Sequence, residues 1–162
     1  MTLHVFNPEH DIALAANLEN FTSPHAGRQL RRDIGFLPAL WAAEGDIVLT
    51  DDAESAAQSL HRLTVQARKY LRLQVIPRAT LISGKGSLTA ADRVEPWGWD
   101  LALRAQLRRR GVKDCVLPTD EQLADIRSLS HRRTAARLMQ LLLNDGLNGI
   151  IGEIPAECST AD

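Results

Sequence analysis

Residues 3–11 read LHVFNPEHD, and the change of character halfway along this stretch decides the fold. Leu3 to Phe6 is a short β-prone run that stops at Asn7-Pro8, because a proline cannot donate to a sheet ladder. Ile12 to Leu18, rich in Ala and Leu, then predicts a short helix. Strand, polar corner and helix follow one another, and the rest of the chain repeats that order.

Ser23-Pro24 predicts the next helix start, with Ser as N-cap and Pro at the first helical position, running to about Ile34 and closed by Gly35. Phe36 to Trp41 is apolar but interrupted by Pro38, and Gly45 ends it. Asp46 to Thr50 is the clearest strand. Asp51 and Asp52 follow, and Ala56, Leu60, Leu63, Ala67 and Leu71 then mark one face of a helix from Ala53. A third strand is expected over Leu73 to Pro77, extending toward Leu81 and Ile82. Thr89 to Val94 fits no single state. Glu95 to Asp100 reads as a loop initiating a helix to about Arg110, with Gly111 as its stop. Lys113 to Leu117 is expected to be a fourth strand, ended by Pro118. Thr119 to Gln122 is a capping-box start for a helix to about Ser128, and Ser130 is expected to cap the last helix, to about Leu143.

Strands separated by helices predict an α/β fold with a mostly parallel open sheet of four strands flanked by helices, whose ligands bind beyond the carboxyl ends of the strands. NPEHD and the TDD of Thr50 to Asp52 are then expected on one rim. Asn7 to Asp11, His25 or Arg28, and Asp51 or Asp52 should line one concavity there.

The chain has 162 residues, enough for one domain with a real core. Its 44% hydrophobic and 24% charged residues match an ordinary globular protein. No apolar run approaches the roughly 20 residues that span a bilayer, and the start lacks the pattern of a signal peptide. A cytoplasmic protein with no membrane partner is expected. A net charge of -1 gives no field that would draw nucleic acid. Cys115 and Cys158 match no metal or CxxC spacing and read as reduced thiols. Arginine outnumbers lysine 16 to 3, and the clusters at Arg31–Arg32, Arg108–Arg110 and Arg132–Arg133 fall on predicted helices, where a charge run is a solvated face.

Within NPEHD, Asn7 and Asp11 fit caps or turn amides, and Pro8 sets the turn. Glu9 and His10 have no such structural use. A His beside carboxylates suits a general acid/base, a ligand contact or a metal site, but no HxH, HxxxH or HExxH spacing supports a metal. Were the row a binding loop, replacing Glu9 and His10 together should spare the fold and abolish ligand recognition. His25 and Arg28 fit either an anion cradle at a helix start or a solvated first turn. SGKGS, residues 83–87, lacks the GxxxxGK[ST] spacing of a phosphate loop and reads as a turn. Trp97 and Trp99 in EPWGWD either stack a planar ligand or partner chain, or plug the edge of a core.

The stretch FNPEHDIALAANLENFTSPHAGRQLRRDIGFLPALWA resembles the opening of an uncharacterised, Bacteroidetes-type protein family that looks like an ATP-grasp family. There an FNPEHDLALA-like start, a PWGW-like loop (here residues 96–99) and an LSHR-like helix start (here 129–132) precede a C-terminal nucleotide-binding region. The resemblance implies a Rossmann-like pre-ATP-grasp domain over residues 1–128, followed by a helix and tail, 129–162, leading toward that region. It further implies a carboxylate-amine ligase, with Asn7, Glu9, His10, Asp11, His25 and Arg28 on the substrate side. ATP and magnesium are implied for a full-length protein and none is expected in this segment, which carries no paired glycine-rich and lysine-bearing hairpins. The chain ends at GIIGEIPAECSTAD, so a truncated domain or a free-standing remnant is expected, inactive alone and partnered by a small-molecule substrate. The alternative is a non-catalytic module that binds a small molecule or a protein through Trp97 and Trp99.

Overall fold

The computed structural model describes residues 1–84, 86–147, 149 and 154. Lys85 of the SGKGS turn, Cys158 and most of the closing GIIGEIPAECSTAD stretch lie outside the described residues. Two compact units are present, Met1–Thr119 and Asp120–Asp162, so the division falls ahead of the helix that the sequence reading kept in the first domain.

The first unit is α/β with a Rossmann-like, all-parallel sheet of four strands in the order β3-β2-β1-β4. These are β1 (Thr2–Val5), β2 (Ile47–Leu49), β3 (Thr80–Ile82) and β4 (Arg93–Pro96). Between β1 and β2 lie α1 (His10–Ala16), α2 (His25–Ile34) and a 3-10 turn at Leu37–Leu40. The helix α3 (Ala53–Gln66) continues through a wider turn at Ala67–Leu71, and α4 (Leu101–Arg109) follows β4.

Side-chain alternation along the strands feeds two cores. On one face Leu3, Val5 and Val94 pack with Leu103 and Leu107 of α4 and with Val112 and Leu117. On the other, Val48 meets Phe36, Ala39, Ala56 and Leu60. Because β1 has β2 on one side and β4 on the other, the strand order reverses at β1, and the crevice beyond a parallel sheet opens at such a point.

Two strand assignments are corrected. Leu73–Pro77 is not a strand: Leu73 and Ile76 are exposed, and the ladder to Ile47–Leu49 is made by Thr80–Ile82. A run containing Pro77 lacks a ladder donor. The fourth strand is Arg93–Pro96, while Asp114–Val116 forms a 3-10 turn whose neighbours Val112 and Leu117 plug the first core. In RVEP only Val94 is fully buried, so an apolar pattern cannot reveal it. Capping also differs. Pro24 holds the N-cap position of α2, and the Ser23 hydroxyl instead donates to Glu9 at 2.9 Å.

The second unit holds α5 (Asp120–Leu129) and α6 (Arg132–Asn144), packed on each other. His131, not Ser130, is the N-cap of α6; the Ser130 hydroxyl donates to the Ile126 carbonyl at 2.8 Å. Among the described residues no helix is long and apolar enough to cross a membrane.

Candidate functional site

The loop after β1 meets the loop after β4 through Asn7. Its side-chain amide donates to the Gly98 carbonyl at 2.8 Å and accepts from the Gly98 N–H at 3.3 Å. It also donates to the Asp100 carboxylate at 3.3 Å. Asp100 is the N-cap of α4 and accepts from the Leu103 N–H at 2.8 Å. His10 completes this latch. Its ring packs so tightly on Gly98 that a Cβ there would lie 2.3 Å from it, and its Nδ1 stands 3.7 Å from Asp100.

Glu9 turns the other way. As the residue preceding α1, it sets its backbone carbonyl to accept from the Ile12 and Ala13 N–H groups, and its side chain enters the space against α2. Gly27 admits it: a Cβ at that point of α2 would lie 3.1 Å from the Glu9 Cβ. Glu9 is 7% exposed, and Oε1 accepts from Ser23 and from the Arg31 guanidinium. Oε2 is buried and has no hydrogen-bond partner among the described residues. Arg31 also reaches Asp51 at 3.3 Å, joining the loops after β1 and β2.

Two cavities open around these groups. The first, about 350 Å³, is lined by Asn7, Glu9, Ser23, Arg28, Arg31 and Arg109, among others. The second, about 330 Å³, lies beyond the ends of β1 and β2, with Val5, Leu49 and Leu103 in its walls beside Thr50, Asp51 and Arg110. Asn7, Arg31, Leu103 and Gln106 line both. Burial holds the Arg110 guanidinium below its ordinary pKa. The Asp52 carboxyl is lowered by the Ser55 hydroxyl and the amides of Ser55 and Glu54, which it caps at the start of α3.

The one concavity expected is divided: Asn7, Glu9 and Arg28 border the first cavity, Asn7 and Asp51 the second, and His10, Asp11 and His25 line neither. Asp11 and His25 are exposed, and the Arg28 guanidinium donates to the Ser23 carbonyl instead of forming a cradle with His25. The two tryptophans divide. Trp97 is 66% exposed and meets Phe6 edge to face, with ring centroids 5.5 Å apart, while Trp99 packs against the first core. Sequence reasoning missed Arg31, Ser23, Gln106 and Arg110. Arg31 had a signal, standing three residues beyond Arg28 and so on the same helix face. Arg110 was hidden inside a run of three arginines.

After β3 the chain passes through Gly84 and a turn at Thr89–Ala90 into β4, so no helix N-terminus follows to present amides to a phosphate. Among those residues no three His, Cys, Asp or Glu side chains converge as a metal-holding group. Comparison of the chain with protein-family models, with curated proteins and with solved structures found no match.

Proposed function

We propose that residues 1–119 form a small-molecule-binding domain whose first cavity receives a hydrogen-bond donor, in particular an amine, on the Glu9 carboxylate. The carrying observation is the buried, unpartnered Glu9 Oε2. An unsatisfied buried polar atom costs about 1–3 kcal/mol, and more when charged, so a fold that keeps one recovers that cost when a ligand N–H arrives. Arg31 holds the carboxylate by one oxygen and leaves the other for the ligand.

Joined to the resemblance drawn from NPEHD, PWGW and LSHR, this reading makes the domain the substrate side of an ATP-dependent carboxylate-amine ligase. It would not be catalytic alone. Glu9 would desolvate and orient the acceptor amine, and Arg28 and Arg109 would offer donors to an acidic part of the same molecule. A C-terminal ATP-grasp region would supply nucleotide and magnesium. Exposed Trp97 supports a second reading, a module that docks a partner protein.

Calorimetric titration of the chain with a panel of free amino acids tests the first reading. At least one should bind, and E9Q should weaken it ten-fold or more, about 1.4 kcal/mol. Binding unaffected by E9Q, or a panel that gives no heat, overturns it.

A further inference from the structure

The second cavity has its own open group. Arg110, the residue closing α4, donates from Nε to the Gly86 carbonyl at 3.1 Å, while its Nη2 is buried with no hydrogen-bond partner among the described residues. Among the described residues, the charged ones lining this cavity are Arg31, Asp51 and Arg110, and the one carboxylate, Asp51, is engaged by Arg31. An uncompensated cation therefore faces a cavity whose walls include Val5, Leu49 and Leu103 beside Asn7, Thr50 and Gln106. In such surroundings a charge is costly unless paired. The Thr50 hydroxyl, committed to the Ile82 carbonyl at 3.1 Å, does not neutralise it.

We propose that this cavity is an anion subsite in which Arg110 binds a carboxylate or phosphate group, and that the ligand is dipolar, with its anionic end here and its donor end on Glu9. The second half rests on the reading of Glu9 given above. The two cavities share Asn7, Arg31, Leu103 and Gln106, so one molecule can lie against that common wall with an end in each. The planar guanidinium fork suits either oxyanion. An amino acid with a side-chain amine, or an aminoalkyl phosphate, has this chemistry.

The test uses the full chain with inorganic phosphate and acetate as separate probes, followed through the backbone amide resonances of Thr50, Asp51 and Gly84. One or both anions should move these resonances saturably, and the stronger probe identifies the group. R110Q should raise the dissociation constant at least ten-fold and R110K should restore part of the binding, with thermal melts showing that both variants fold. Equal titrations in wild type and R110Q, or no shifts in the wild type, overturn the subsite.

E9Q separates the two readings. It should leave phosphate or acetate binding intact and dependent on Arg110, no weaker than in the wild type because Arg31 in the same cavity loses a carboxylate partner, while weakening an ω-amino acid, which R110Q should weaken as well. If E9Q alters nothing while R110Q still loses the anion, the Glu9 reading fails and the anion subsite stands. If R110Q leaves the ω-amino acid untouched, the dipolar ligand fails.

Discussion

Asn7 and Glu9 stand two residues apart in one polar corner, yet they end in opposite chemical conditions. Asn7 spends its amide on both backbone groups of Gly98 and on Asp100. Glu9 spends one carboxylate oxygen and leaves the other buried without a partner. The same contrast runs through the acidic residues. Asp52 uses both oxygens at its helix cap, Asp100 uses one at its cap and the other on Asn7, and Asp46 uses both on the Thr2 amide, the Ala43 amide and His4. On the reading proposed above, Asn7 builds the fold and half-used Glu9 waits for a ligand, while His10, whose buried Nδ1 also lacks a hydrogen-bond partner among the described residues, is held in the latch by packing on Gly98. Residue type and sequence position do not separate the two cases.

Variants should reproduce that division. Asn7→Ala removes the three hydrogen bonds that its side chain makes across the latch and leaves Gly98 and Asp100 short of partners, so a loss of about 2–3 kcal/mol is expected in denaturant unfolding. A loss below about 0.5 kcal/mol would mean that the latch is replaceable by water. Gly98→Ala must displace the His10 ring and should cost about 1–2 kcal/mol by the same measurement. Trp97→Ala, which gives up an edge contact with Phe6, should cost about 0.5–1.5 kcal/mol. Should it also abolish a pull-down that E9Q leaves intact, the protein-docking reading gains over the ligand-binding one.

The smallest expected effect is seen only in acid. The Thr2 amide, with the Ala43 amide and His4, lowers the Asp46 carboxyl from 3.8 to about 2, against the opposing effect of burial. A carboxyl lowered in the folded state stabilises it fully above its unfolded value and loses that stabilisation as pH falls through the folded one. Acid melts of the wild type should therefore steepen between about pH 4 and pH 2, and Asp46→Asn should flatten that window.

The fold was legible where pattern and burial coincide. LHVF and DIVLT alternate across a sheet with both faces covered, and Ala56 and Leu60 keep helical spacing toward the second core. It was illegible at β4, whose exposed-side residues Arg93 and Glu95 pair with each other at 2.8 Å and mask the strand. Val112 and Leu117 misled for the converse reason, since an apolar run can plug a core without joining a ladder. NPEHD pointed to a corner that borders cavities at the strand ends but not to which of its residues line them. That depends on Gly98 seating His10 and on Gly27 admitting Glu9. The expectation that Glu9 and His10 can be replaced together at little cost now divides: any cost should come mainly from His10, which is packed into the latch, and less from Glu9, which leaves one oxygen unpartnered among the described residues.

The central claim is that Glu9 is held for a ligand rather than for the fold, and E9Q followed in parallel by denaturant unfolding and amino-acid titration tests it most directly. E9Q breaks the ion pair to Arg31 but leaves Arg31 its Asp51 partner and removes a buried charge with one unsatisfied oxygen, so its net stability loss should fall well below that of Asn7→Ala. The same substitution should weaken the ligand at least ten-fold. A stability loss as large as that of Asn7→Ala, with binding unchanged, would contradict the account and make Glu9 a second latch.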